Sequence, residues 1–98
     1  MKQWYLHLDK AFESKVRLGL MSLLMMEELV DFNTLKEALA VTDGNLASHL
    51  KNLEKLDYIQ VKKEFVGRKP KTSYQATSLG KKAFQKHIHA LEKFLKDG

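Results

Sequence analysis

The hydrophobic pattern of this 98-residue chain changes its period once, immediately after Asp57. Before that residue, apolar side chains recur every three or four positions, as they do on one face of an α-helix. After it, residues 58–65 alternate between apolar and polar side chains, which predicts a β-strand. A chain this short forms one domain, so the helices and the strand must share a core. We therefore take residues 1–98 as a single domain, mainly α with a small β-hairpin.

Apolar spacing divides the first part of the chain into helices. A first helix is predicted over residues 3–12, and a second follows Ser14, which can act as its N-cap. The second helix is apolar on two sides, so we expect both sides to be covered. A short helix capped by Asn33 or Thr34 comes next. Thr77 or Ser78 caps a last helix that runs to about residue 96.

The helix that starts after Thr42 or Asp43 has a narrow apolar face. This face is made by Leu46, Leu50, Leu53 and Leu56, at spacings of four, three and three. The rest of its surface carries small polar and basic side chains. The major groove of B-DNA is about 12 Å wide and admits one α-helix, so a helix of this profile fits it. A turn over residues 41–45 joins it to the short helix, which predicts a helix-turn-helix over residues 33–57.

Residues 58–77 form a predicted β-hairpin whose tip is the most basic point of the chain. Residues 66–72 are predicted to be a loop because Gly67 and Pro70 interrupt strand pairing. Residues 58–75 carry five Lys or Arg residues and one Glu, a balance of +4, against +5 for the whole chain. Such an excess suits an anionic partner such as nucleic acid or a lipid surface. A helix-turn-helix followed by a basic hairpin is a winged helix.

This arrangement gives the polar side chains distinct predicted roles on double-stranded DNA. Amide and hydroxyl groups pair with base edges, whereas basic groups neutralise phosphates. A basic wing reaches the adjacent minor groove or its backbone. The predicted base-contacting residues are Asn45, Ser48, His49 and Asn52. The predicted backbone-contacting residues are Thr42, Lys51 and Lys55 on the helix, and Arg68, Lys69 and Lys71 on the wing.

Three segments, residues 41–59, 65–74 and 77–84, also carry a family resemblance, which extends upstream through residues 12–18. They resemble the compact MarR/ArsR-type winged-helix transcriptional regulators of bacteria and archaea over about residues 9–90. The family has a Leu-Ser-His-Leu-like core, and here Ala47 separates Leu46 from Ser48. The resemblance implies a homodimeric repressor or activator on a palindromic operator. It places recognition positions at Asn45, Ser48, His49 and Asn52, and wing positions at Arg68 and Lys69.

Apolar residues near both ends exceed what a 98-residue core can bury, which predicts a dimer interface. We expect helices in residues 1–13 and 78–98 to form it. The predicted interface residues are Trp4, Tyr5, Leu8, Phe84, Ile88, Leu91 and Leu95. Two recognition helices about 34 Å apart would then enter successive major grooves. A small hydrophobic effector could bind at the same seam.

Other classes are disfavoured by what the sequence lacks. The chain has no cysteine, which excludes thiolate metal sites and favours the cytoplasm, where we expect association with the nucleoid. No apolar run approaches the roughly 20 residues of a membrane helix. No nucleophile–base pair, phosphate-binding glycine loop or paired carboxylates indicate an enzyme, and no cofactor is expected.

Two further interpretations concern metals and protein partners. His87 and His89 lie on different sides of a helix, so no metal site within one chain is predicted. A site shared between two subunits, for example with His7 and Asp9, stays open. The alternative to DNA binding is a winged helix that docks another protein, in which the basic wing plays no part.

Overall fold

The structure, a computed structural model, describes residues 3–97, so residues 1–2 and 98 of the predicted terminal segments lie outside it. Within this range, two short 3₁₀ turns (Trp4–His7 and Lys10–Phe12) precede four α-helices and three strands. The helices are α1 (Lys15–Met26), α2 (Phe32–Leu39), α3 (Asp43–Lys55) and α4 (Ser78–Asp97). The strands β1 (Val30–Asp31), β2 (Ile59–Val66) and β3 (Lys69–Ala76) form an antiparallel sheet in the order β1-β3-β2. This is the predicted winged-helix architecture.

The core lies where α1, α2, α3 and the base of the sheet meet. Both apolar sides of α1 are covered, as predicted, because Leu20 and Leu24 on one side and Met21 on the other are buried. α4 adds Phe84, whose ring meets Phe12 edge-on at a centroid distance of 5.3 Å. The principal buried side chains are Leu20, Met21, Leu24, Leu35, Leu46, Leu50, Leu53, Ile59, Tyr74 and Phe84. None of the helices within residues 3–97 has both the length and the apolar character needed to cross a membrane.

Side-chain caps fix the starts of three helices. The Ser14 hydroxyl accepts a hydrogen bond from the Arg17 N–H at 3.3 Å. Of the alternatives for α3 and α4, the caps are Thr42, at 3.1 Å from the Asn45 nitrogen, and Thr77, at 2.9 Å from the Gly80 nitrogen. Each bond satisfies one of the N–H groups that a helix start leaves free.

The predicted cap of α2 is wrong. Asn33 and Thr34 both lie inside the helix, and Asp31 occupies the N-cap position without a side-chain bond to a helix N–H. The Thr34 hydroxyl instead donates to the Asp31 carboxylate at 2.5 Å. This bond lowers the pKa of Asp31 and keeps an acidic group at the positive end of α2.

The predicted helix over residues 3–12 is also wrong. Leu8 and Asp9 have extended backbone, and they separate the two 3₁₀ turns. Asp9 is held there by three hydrogen bonds: its carboxylate accepts from the Ala11 N–H at 2.9 Å and from the Tyr58 hydroxyl at 2.6 Å, and its own N–H donates to His87 Nδ1 at 2.9 Å. Burial, with the hydrogen bond to Asp9, raises the pKa of Tyr58 to about 12, so its phenol stays a donor. Apolar spacing cannot reveal these long-range bonds.

The predicted loop over residues 66–72 shrinks to a two-residue turn. Val66 pairs with Lys69 across the turn, and Gly67 has a φ of 67°, at the position where a type II′ turn holds glycine. Pro70 continues the strand opposite Phe65. The Val66–Lys69 pair next to the turn is hydrogen-bonded, and the Phe65–Pro70 pair that follows it is not. Residue 70 therefore needs no N–H directed toward β2. On its other side β1 reaches only Ser73, and proline therefore fits.

Gly80 allows the start of α4 to pack against the corner between α3 and β2. Asp57 closes α3 in the left-handed conformation (φ 60°), and the Tyr58 N–H bonds the Leu53 carbonyl at 3.0 Å. A Cβ on Gly80 would lie 2.0 Å from the Tyr58 carbonyl oxygen. Because that atom belongs to the backbone, the corner would have to move to accept a larger residue.

We predict that Gly80→Ala lowers the free energy of unfolding by about 2 kcal/mol, since overpacking against fixed atoms costs this much. Gly44→Ala is the matched control, because Gly44 lies in the first turn of α3 with nothing within 4 Å of a new Cβ. Its stability should be unchanged or higher by up to about 1 kcal/mol. Denaturant unfolding followed by circular dichroism measures both. Equal effects of the two substitutions would contradict the proposed packing of Gly80.

His87 is 4% exposed, and its Nδ1 accepts the Asp9 N–H, so the folded protein holds its imidazole neutral. Burial lowers the pKa of His87, against the opposing effect of Asp9 and Glu13. The unfolded chain binds a proton near pH 6.5, before the folded protein does. Stability is therefore complete above about pH 6.5 and falls as the pH drops through that value toward the lower pKa of the folded state.

We predict that His87→Asn reduces this loss of stability, because the asparagine oxygen can accept the same bond without titrating. Unfolding free energies at pH 7.5 and 5.5 provide the test, with the exposed His89→Asn as the control. The wild type and the control should lose more stability on acidification than His87→Asn. The same loss in all three proteins would refute this role of His87.

Candidate nucleic-acid interface

The orientation of α3 is set by its buried leucines. Leu46, Leu50 and Leu53 are buried and fix one face of the helix against the core. The fourth predicted member, Leu56, follows the helix as its C-cap and is exposed. With its leucine face inward, α3 must turn its polar face outward.

The outward face of α3 carries most of the predicted contact residues. Asn45, Ser48 and Asn52 recur at spacings of three and four, so they form one line of short polar side chains along the helix. Two lysines stand beside this line. The exposed residues of the face are Asn45, Ser48, Lys51, Asn52 and Lys55.

His49 lies at the border of this face and is half-buried. It is three residues after Leu46 and four before Leu53, so its side chain stands next to the apolar side of α3. Its Nδ1 lies 3.0 Å from Nη1 of Arg17 on α1. Burial, followed by the charge of Arg17, lowers the pKa of His49.

The start of α3 combines a cap with an ion pair. Thr42 accepts the Asn45 N–H and keeps its hydroxyl proton available for another acceptor. Asp43, whose carboxylate would repel an approaching phosphate, pairs with Lys36 of α2 at 2.7 Å. This pair offsets the one acidic charge in the first turn of α3.

The wing presents its basic residues on two exposed strands and the turn between them. Arg68 lies in the turn, and Lys69 follows it; both are exposed. Lys71 is also exposed, but it stands directly across from Glu64, whose charge reduces its attraction for an anion. The structure adds Lys62 and Lys63 of β2, which are exposed along the same hairpin. Both lysines contribute to the positive charge of residues 58–75, but they lie away from the tip that the sequence marks as most basic.

Phe65 is a further exposed residue of the wing that the sequence pattern did not mark as a candidate. It pairs with Pro70 near the tip of the wing and is 75% exposed, although it is one of the apolar residues of the predicted alternating strand. The hairpin carries it beyond the core, because burial along β2 ends after Ile59.

The two predicted dimer segments lie against each other in one protomer. The ring of Trp4 contacts that of Phe94 on α4 at a centroid distance of 4.5 Å, and the first 3₁₀ turn packs along α4. The predicted interface residues differ in exposure. Phe84 belongs to the protomer's own core, Trp4, Leu8, Ile88 and Leu91 are half-buried, and Tyr5 and Leu95 are 55% and 78% exposed.

An open, mostly apolar cleft lies between the end of α1 and α4. Met25, Phe84 and Ile88 provide its apolar lining, and His89 and Glu92 stand at its polar side. Over the part of the chain that the structure describes, no three His, Asp or Glu side chains gather closely enough to hold a metal ion.

A comparison with protein-family models identifies the domain. Residues 16–95 match the model of the winged helix DNA-binding domain. The chain belongs to this family. DNA is therefore the partner that its fold family supports, and the helix-turn-helix and wing described above are the parts of the family fold. The chain is also 40% identical over 82 residues to the uncharacterized protein MJ0432 of Methanocaldococcus jannaschii, covering 84% of this chain and 89% of the relative.

Two solved structures have the same fold. A transcriptional regulator homologue from Pyrococcus horikoshii matches with a TM-score of 0.89 and 24% identity, over 99% of this chain and 97% of the other. A candidate transcriptional regulator of Salmonella typhimurium, ytfH, matches with a TM-score of 0.72 and 23% identity, over 89% and 76%. At these identities the similarity concerns the fold alone.

Proposed function

We propose that this protein is a sequence-specific transcriptional regulator that binds double-stranded DNA as a homodimer. The observation that carries the proposal is the outward polar face of α3, held in place by three buried leucines and accompanied by a basic wing. A helix with short amide and hydroxyl side chains on its free face can approach base edges closely. The fold does not need this line of polar side chains for its stability, because the line is exposed and lies outside the core.

On DNA, α3 lies in the major groove. Asn45, Ser48 and Asn52 contact base edges, and Lys51 and Lys55 neutralise phosphates beside the groove. Thr42 donates its hydroxyl proton to a phosphate at the start of the helix, where the helix dipole also favours negative charge. His49, at the border of this face, also contacts a base edge.

The wing contacts the adjacent minor groove and its backbone. Arg68 and Lys69, in and beside the turn, provide the principal contacts, and Lys71 contributes less because Glu64 faces it. Lys62 and Lys63 add positive charge on the two opposite faces of β2, nearer the base of the hairpin. These charges act on phosphates of any sequence, so the wing adds affinity and α3 adds specificity.

A homodimer brings two such units onto a palindromic operator. The exposed Tyr5 and Leu95, with the half-buried Trp4, Leu8 and Leu91, form an apolar surface where the first 3₁₀ turn meets α4, suited to a twofold contact. Phe84 does not contribute, because the core already buries it. Half-site centres about 34 Å apart follow from this symmetry.

Three finer assignments belong to the same proposal. The chain is of the MarR/ArsR type, it acts in the cytoplasm in association with the nucleoid, and it catalyses no reaction. The apolar cleft between α1 and α4 is the place for a small hydrophobic effector, because a ligand there would contact the helix that carries the dimer surface.

In-vitro selection of duplexes from a random pool, followed by binding measurements with variants, tests the proposal. Selected sites should be palindromic. Ser48→Ala and Asn52→Ala should each reduce the ratio of affinities for selected and random duplex by about tenfold, since one base contact is worth 1–3 kcal/mol. Arg68→Ala should weaken both affinities and lower the salt slope by about 1. Lys96→Ala, at the far end of α4, is the control for loss of charge.

The outcomes separate the proposal from its alternative. Equal losses on selected and random duplex in the α3 variants would refute the assignment of base-contacting residues. A lack of salt-sensitive binding at micromolar protein would favour a winged helix that docks another protein.

A further inference from the structure

The contact between Arg17 and His49 joins α1 to the proposed DNA-contacting helix. Nη1 of Arg17 lies 3.0 Å from Nδ1 of His49, and Nε of the same guanidinium donates to the Ala11 carbonyl at 2.6 Å. Arg17 is half-buried. Its guanidinium is held at two points, one on the N-terminal segment and one on α3. Its position does not depend on DNA.

The chemistry of the two groups decides the state of the imidazole. A guanidinium donates hydrogen bonds and accepts none, so Nδ1 of His49 must offer its lone pair. The ring is then neutral and carries its proton on Nε2. In the described part of the chain, every buried side-chain nitrogen and oxygen has a hydrogen-bond partner. Nε2 of His49 has no such partner, so it is not one of the buried atoms. Nε2 is therefore in contact with solvent, where its N–H can meet a ligand.

The electrostatic environment favours the same state. Arg17 is the charged group that acts on His49 from α1, and its positive charge adds to burial in opposing protonation. A lysine or arginine on α3 would strengthen binding to DNA of any sequence, because its charge acts on the phosphates. A neutral imidazole adds one directed donor.

We propose that Arg17 is a positioning residue that holds His49 as a single N–H donor toward a hydrogen-bond acceptor on a DNA base edge. The proposal rests on the proposed function, because it deepens the role of α3. Acceptors of this kind are O6 and N7 of guanine, N7 of adenine and O4 of thymine. A phosphate oxygen has the same acceptor chemistry but is present at every sequence, so the affinities for selected and random duplexes distinguish the two.

The first experiment uses the free protein and does not require DNA. Nitrogen-15 NMR of the histidine rings between pH 5 and 8 reports the tautomer and the titration midpoint of His49. We expect the Nε2–H tautomer in the wild type, with a midpoint below the ordinary 6.5, and a clear upward shift in Arg17→Gln. Lys15→Gln, which removes an exposed charge two residues away on α1, should leave the midpoint unchanged. The same tautomer and midpoint in Arg17→Gln would overturn the proposal.

The second experiment measures affinity for selected and random duplex at pH 7.5 and 6.0. His49→Ala and Arg17→Gln should each lower the ratio of the two affinities about tenfold at pH 7.5. In Arg17→Gln, affinity for random duplex should rise from pH 7.5 to 6.0 as His49 becomes charged, and adding His49→Ala should abolish that rise. An equal loss on both duplexes in His49→Ala would assign the contact to phosphate and overturn the base-edge proposal.

Failures of the two proposals are distinguishable. If the wild type binds no duplex, the proposed function fails, and the NMR titration still decides whether Arg17 sets the state of His49. If the wild type binds but the variants keep its ratio of affinities, only the inference about Arg17 fails. Should Arg17→Gln not fold, Arg17→Lys keeps the charge and one donor for the Ala11 carbonyl but loses the second donor, so the midpoint should change little while the Nε2–H tautomer gives way to a mixture of both tautomers.

Discussion

The burial of Leu46, Leu50 and Leu53 is the interaction on which the rest of the structure depends. Burying a leucine contributes about 1.5–3 kcal/mol, so the three together are comparable to the whole stability of a small domain. They tie α3 to α1, α2 and the sheet in one orientation. The polar side of the same helix makes no contribution of that size to the core. It is therefore free to carry side chains chosen for a ligand.

The N-terminal segment connects this helix to α4 by a series of hydrogen bonds. His87 of α4 accepts from Asp9, the Asp9 carboxylate accepts from Ala11, and the Ala11 carbonyl accepts from Arg17, which in turn donates to His49. The segment that bears part of the proposed dimer surface thus ends at the proposed DNA surface. The geometry provides a physical connection between the two, and two of its members are histidines whose pKa values burial lowers.

The sequence predicted most of the features that depend on local periodicity and capping, although the cap of α2 was placed wrongly. The leucine spacing located α3 and its outward face, and Ser14, Thr42 and Thr77 marked helix starts. The predictions failed where distant residues decide the backbone. Asp9 breaks the first helix because it bonds Tyr58 and His87, which are far away in the chain, and Pro70 stays in a strand because β1 ends before it.

The candidate site was predictable to the same extent. Exposure of Asn45, Ser48 and Asn52 follows from the leucine pattern, whereas the contact of His49 with Arg17 depends on how α1 crosses α3. No spacing in the sequence encodes that crossing. Phe65 illustrates the same limit, because the sequence placed it in the predicted strand, and only the length of the hairpin shows that its side chain lies in solvent.

In the proposed complex, the polar face of α3 and the tip of the wing contact the same duplex at the same time. A titration of the isotope-labelled protein with a selected duplex, followed by amide chemical shifts, tests it most directly. We expect the largest changes at Asn45, Ser48, Asn52, Gly67 and Arg68, in a single saturable transition. Changes confined to α4 and the first 3₁₀ turn, with α3 and the wing unaffected, would contradict it.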